Sequence, residues 1–146
     1  MDVRIQNSSF WSKESFLLLM KKADKLFTPP ISEGIDLKAY SEKLYAYASF
    51  VVCRDGKDVI KGFAAFYKNV GSKQLYVTLI CVDKQFQGQG FGGKMLEVLE
   101  SLKCEGFETI ALEVVKTNQT AYHFYKKQGF IGQEDRGKKF LMRKTL

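Results

Sequence analysis

The chain has 146 residues, 45% of them hydrophobic and 14% aromatic, with a net charge of +7. That length and apolar content point to one domain, residues 1–146, with enough material for a core, and they exclude a disordered chain. No apolar run approaches the ~18 residues that a transmembrane helix needs, and the N-terminus lacks the layout of a signal peptide, so a cytoplasmic protein with no membrane partner is expected.

In chain order, Val3–Gln6 reads as a short strand. Residues 12–27 read as an amphipathic helix with Phe16, Met20, Ala23 and Phe27 at helical spacing, stopped by Pro29-Pro30. Asp36–Tyr47 is a second helix, with Leu37, Tyr40, Leu44 and Tyr47 on one face. The aromatic stripes of both are read as core. Ala48–Cys53 and Val59–Tyr67 are strands joined around Asp55-Gly56, a tight-turn signal. Gln74–Val82 is apolar on both faces, as a central strand covered on both sides should be. Residues 90–105 form a strong helix, with Phe91, Met95, Leu99 and Leu102 on one side. Thr109–Val115 is a strand, and Asn118–Gln128 a helix stopped by Gly129. Phe130–Gln133 and Lys139–Met142 close the chain as a hairpin around Arg136-Gly137. The order predicts an α/β (α+β) domain, a mixed sheet covered by helices.

Three widely spaced cysteines (Cys53, Cys81, Cys104) with no CxxC pair, and a single histidine, His123, give no basis for a zinc site, a disulfide framework or a histidine triad. Reduced thiols fit a cytoplasm. The positive charge suits an anionic ligand, but no compact Lys/Arg run stands out, so no nucleic-acid partner is expected.

The most informative segment is Gln87-Gly88-Gln89-Gly90-Phe91-Gly92-Gly93-Lys94, with four glycines where a loop enters a helix. Glycine costs about 1 kcal/mol in a helix relative to alanine, so their presence needs a reason. Close backbone approach to a ligand supplies one, because free N–H groups at a helix N-terminus bind phosphate oxygens. Gly88, Gly90 and Gly93 satisfy G-x-G-x-x-G, but Asp83 to Gln87 separate them from the strand and hairpin-forming strands precede it, against a dinucleotide fold. Gly88 and Gly93-Lys94 match most of a P-loop, yet Met95 follows where a magnesium-holding hydroxyl belongs.

Gln87, Gly90 and Gly92 instead match Q/R-x-x-G-x-G/A. A second block reads Asn118-x-x-Ala121-x-x-Phe124-Tyr125-x-x-x-Gly129-Phe130, one helix and one strand later. Over residues 75–131 the chain resembles the GNAT superfamily of N-acetyltransferases. The resemblance implies a mostly antiparallel mixed sheet, with a central parallel strand pair splayed for the cofactor and helices on both faces. It also implies acetyl-CoA as co-substrate, with no metal.

Under that resemblance, the amides of Gln87, Gly88, Gln89, Gly90, Gly92 and Gly93 grip the pyrophosphate. Backbone groups at Ile80, Cys81 and Val82 pair with the pantetheine arm, and the amide near Ile80 polarises the acetyl carbonyl. Asn118 sits beside the arm or simply caps its helix; the two roles are compatible. Tyr125 matches the family's general acid for the departing thiolate. The central-strand glutamate of histone-type members falls on Tyr76, so that base is lost. Leu112-Glu113-Val114, twelve residues before Tyr125, resembles the base-carrying stretch of ribosomal-protein alanine acetyltransferases. A carboxylate inside an apolar strand suits a base, because burial raises its pKa. A structural glutamate or a water chain remains the alternative.

Phe27 and Tyr76 are expected to line the acceptor site, while His123 is surface and the Cys81 side chain is core. The acceptor is a small-molecule or peptide amine. Asp36-Leu37-x-x-Tyr40-x-x-Lys43-Leu44 loosely resembles amino-sugar acetyltransferases, whereas Leu-Glu-Val pulls toward protein amines. A homodimer is compatible with the family. The competing class is a non-catalytic acyl-CoA-binding or regulatory module, against which Tyr125 and Glu113 argue.

Overall fold

The computed structural model describes residues 2–57 and 59–146; Met1 and Asp58 lie outside the described residues. The chain runs β1 (Asp2–Gln6), α1 (Lys13–Asp24), α2 (Leu37–Tyr47), β2 (Ser49–Arg54), β3 (Ile60–Asn69), β4 (Gln74–Val82), α3 (Phe91–Glu100), β5 (Thr109–Val115), α4 (Gln119–Lys127), β6 (Ile131–Asp135) and β7 (Lys139–Thr145). Side chains start three of the helices. Ser12, Asp36 and Asn118 accept the amides of Ser15, Ala39 and Ala121, which relieves donors that have no partner within the helix. α1 stops at Asp24, earlier than the proline pair suggests. The Asp24 carboxylate there accepts both the amide (2.9 Å) and the hydroxyl (2.6 Å) of Ser32, folding the following loop back on the helix. Past Glu100, α3 tightens into a 3-10 turn over Ser101–Glu105, ended by Gly106 at φ 96°. The link around Asp55-Gly56 is longer than a two-residue turn, and Asp55 Oδ1 accepts the amides of Lys57 and Val59 across it.

The strands form one sheet, in the order β1-β2-β3-β4-β5-β7-β6. Every neighbouring pair is antiparallel except β4 and β5, which are parallel. One face carries α3 and α4 over Val51, Ala64, Phe66, Leu75, Val77, Ile110 and Leu112. The other carries α1 and α2 over Phe50, Val52, Phe63, Ala65, Leu79 and Cys81. Each large apolar side chain so buried contributes roughly 1.5–3 kcal/mol relative to exposure. Tyr47, expected in the core, is instead 76% exposed at the end of α2.

Two irregularities shape the sheet's centre. β3 pairs Ala65 with Leu79 and Phe66 with Val77, leaving Thr78 of β4 as an extra residue. Such a bulge switches the facing of the strand. Leu75 and Val77 therefore join the α3/α4 core, whereas Leu79 and Cys81 join the α1/α2 core. Second, the β4–β5 ladder runs from Gln74↔Thr109 to Val77↔Leu112 and ends there. From Thr78 and Glu113 onward the two parallel strands part.

Candidate active site

The glycine loop lies at the far end of β4. Asp83 caps a short 3-10 turn over Lys84–Phe86, and Gln87 leads into the glycines. Gly88 (φ 78°) and Gly90 (φ 86°) are left-handed, a conformation costing other residues roughly 1–2 kcal/mol. Gly90 caps α3, whose first bond is the Lys94 amide to the Gly90 carbonyl at 3.1 Å. Among the described residues, no amide from Gln87 to Gly93 donates to another protein group. A Cβ built on Gly88 or Gly90 would meet nothing within 4 Å, so both face open space. Gly92 is glycine for a different reason: its Cβ would lie 3.1 Å from the Phe124 ring, where α4 crosses the start of α3. Gln87 and Gln89 turn back on the loop, with side-chain amides donating to the Val82 and Gln85 carbonyls at 3.1 and 3.3 Å. The Val82 carbonyl, expected to be open to a ligand, is therefore already engaged.

The split between β4 and β5 is the second component. Beyond Val77, the β5-facing edge of β4, through Ile80 and Val82, has no strand partner there. Cys81 points into the α1/α2 core, where burial pushes its thiol up to about 12. That agrees with its reading as core.

On the α1/α2 face, Tyr76 donates its hydroxyl to Glu113 Oε1 at 3.1 Å, and Arg136 Nη1 donates to Glu113 Oε2 at 3.4 Å. Glu113 keeps 26% of its side chain exposed. Its place on an apolar strand suggests a buried carboxylate, but the parting strands leave it partly open, with both oxygens partnered. Burial first, and the Glu113 carboxylate second, push the Tyr76 phenol up to about 12. On the opposite lip, Tyr40 of α2 hydrogen bonds Thr78 Oγ1 at 2.7 Å and pins the bulge. Phe27 is half-buried in the loop after α1.

Tyr125 lies across the sheet, in the α3/α4 core. It is 8% exposed, between the rings of Phe124 (5.2 Å) and Phe130 (5.7 Å). Burial holds its phenol well above the usual range. Its hydroxyl bonds to no other group among the described residues. Asn118 is exposed and caps α4, its Oδ1 accepting the Ala121 amide at 3.0 Å. His123 is exposed on the outer side of α4.

Sequence reasoning missed Arg136, Tyr40 and Thr78. Arg136 was legible only as a turn residue, because its approach to Glu113 depends on the β5–β7 register. A tyrosine on a helical apolar stripe gives no sign that its hydroxyl will find a strand bulge.

The open amides of the loop and the parting of the parallel strands thus lie along one strand, β4. The sequence profile of the Acetyltransferase (GNAT) family matches residues 18–130, and the chain belongs to that family. Its acyl donor is accordingly acetyl-CoA. The fold is similar to that of the PaiA N-acetyltransferase from Thermoplasma acidophilum in complex with coenzyme A (TM-score 0.73, 16% identity, 100% of both chains). It is similar to PH1933 from Pyrococcus horikoshii OT3 (0.79, 25%, 99% of both chains). It is also similar to the NatC complex bound to Gag peptide and CoA (0.70, 18%, 100% of this chain and 99% of that one). No curated protein sequence matches the chain.

Proposed function

We propose that the protein is an N-acetyltransferase that moves the acetyl group of acetyl-CoA to a primary amine by direct attack. The observation that carries this reading is the alignment of two open features along β4. The strand parts from its parallel neighbour after Val77 and leads into a loop whose amides, Gln87 to Gly93, are unpartnered among the described residues.

In this reading the loop amides and the α3 dipole hold the pyrophosphate. The edge of β4 from Ile80 to Val82, with the Val82 carbonyl already taken by Gln87, holds the pantetheine arm, and an amide near Ile80 is aimed at the carbonyl oxygen. Asn118 stands beside the arm while capping α4. The amine enters from the α1/α2 face, past Phe27 and Tyr76. Its nitrogen attacks the thioester carbon; the C–N bond forms through a tetrahedral intermediate and the C–S bond breaks. The amine's proton passes to Glu113, whose oxygens keep lone pairs beyond those used by Tyr76 and Arg136. Tyr125, on the other side of the sheet, protonates the thiolate and regains a proton from solvent.

The acceptor is a small-molecule or peptide amine; PaiA is an N-acetyltransferase, and NatC is seen with a peptide. The test is release of free CoA thiol with amino-sugar nucleotides, polyamines, amino acids and short peptides, alongside acetyl-CoA alone. Tight binding of acetyl-CoA with no transfer to any amine would favour the non-catalytic acyl-CoA-binding module.

A further inference from the structure

Tyr76 and Glu113 meet where the parallel ladder stops. Tyr76 is the register partner of Ala111, and the last pair is Val77↔Leu112. Glu113 is the next residue of β5, two beyond Ala111 and on the same face. The bond from the Tyr76 hydroxyl to Glu113 Oε1 therefore runs diagonally forward across the point of divergence. It takes over where backbone hydrogen bonds can no longer tie β4 to β5. From the far side the β6–β7 hairpin brings Arg136, which reaches Glu113 Oε2 and Glu134 at 3.4 Å each. A glutamate at the rim of an open cleft has three rotatable bonds and would otherwise sample several rotamers. Here one oxygen is held from β4 and the other from the hairpin.

We propose that Tyr76, with Arg136 in support, is a positioning residue that fixes the Glu113 carboxylate at the mouth of the split, rather than an acceptor-contacting residue in its own right. This rests on the reading of Glu113 as the proton acceptor. Tyr76 carries the larger share: its hydroxyl is closer and its ring half-buried, whereas Arg136 is 40% exposed and shared between two carboxylates.

The test is a double-mutant cycle on Tyr76→Phe and Glu113→Gln, using the amine that turns over fastest in the acceptor panel, with melting temperatures recorded for each variant. Phenylalanine keeps the ring and removes only the hydroxyl. Tyr76→Phe should lower kcat about ten- to a hundredfold, with KM for acetyl-CoA unchanged. In the Glu113→Gln background the same change should cost less than about twofold, because the group it positions is already lost. Additive losses would overturn the proposal and make Tyr76 act on the acceptor directly. Full activity in Glu113→Gln would instead sink the proton-acceptor reading. A crystal structure of Tyr76→Phe then judges the positioning claim by itself. Glu113 should leave its place or split between rotamers, and an unmoved carboxylate would refute it. Arg136→Met should show the same pattern with a smaller loss.

Discussion

Gly90→Val separates the binding role proposed for the glycine loop from its folding role. Gly90 sits at φ 86°, and a Cβ there meets no protein atom within 4 Å. The cost to the fold is therefore backbone strain alone, roughly 1–2 kcal/mol for a non-glycine residue in the left-handed region. In a domain of this size that lowers Tm by about 4–8 °C. The amides from Gln87 to Gly93 on either side of Gly90 donate to no protein group among the described residues. Under the proposed pyrophosphate site, a valine there would crowd the phosphates. Titration calorimetry should find no acetyl-CoA binding, while circular dichroism and the melting curve report an intact, slightly weakened fold. Gly62→Ala is the control. Its Cβ would lie 2.8 Å from the Cys81 carbonyl oxygen, a backbone clash inside the sheet. Overpacking of that kind costs about 1–3 kcal/mol, so this variant should lose stability, and the molecules that remain folded should still bind. Unchanged acetyl-CoA affinity in Gly90→Val would refute the placement of the pyrophosphate.

Tyr125→Phe should reduce kcat by about 10²–10⁴-fold with acetyl-CoA affinity nearly unchanged, read in single-turnover experiments so that slow product release cannot mask the chemical step. Wild-type single-turnover rates would remove Tyr125 from the mechanism. Burial raises the phenols of Tyr40, Tyr67, Tyr76 and Tyr125, four of the seven tyrosines, above their ordinary value of 10. Groups raised on folding stabilise fully below the unfolded value and lose that contribution as pH climbs through the folded one. Stability should therefore fall between pH 10 and about 12, where Tyr40 and Tyr76 ionise. Ultraviolet absorbance should show these phenols ionising above pH 10 in the folded protein; four phenols ionising at 10 without unfolding would contradict their burial.

Much of the fold was legible because it is local. The bounds of β4 and β5 match the apolar runs, and Asp36 and Asn118 cap the helices that their residue types announce. The glycine loop was legible as the entry to a helix, because glycines at a helix start weaken the helix and their presence there needs a reason. Long-range features were not. Leu75, Val77, Leu79 and Cys81 alternate along the sequence as if on one face, and only pairing with β3 reveals that Thr78 divides them between two cores. Glu113 looked buried from its apolar neighbours. Its exposure and its bonds to Tyr76 and Arg136 follow from strand divergence and hairpin register, which no local pattern encodes.

Transfer of acetyl from its thioester to an amine is read by incubating the protein with acetyl-CoA and the acceptor panel and measuring both products. Free CoA is read by its thiol and the acceptor by mass spectrometry. One class of primary amine should gain a single acetyl group on nitrogen, in equal amount to the CoA released, and Gly90→Val should abolish both signals. CoA release matched by acetylation on oxygen or sulfur, or acetyl-CoA binding with no acetylated product from any amine, would contradict it.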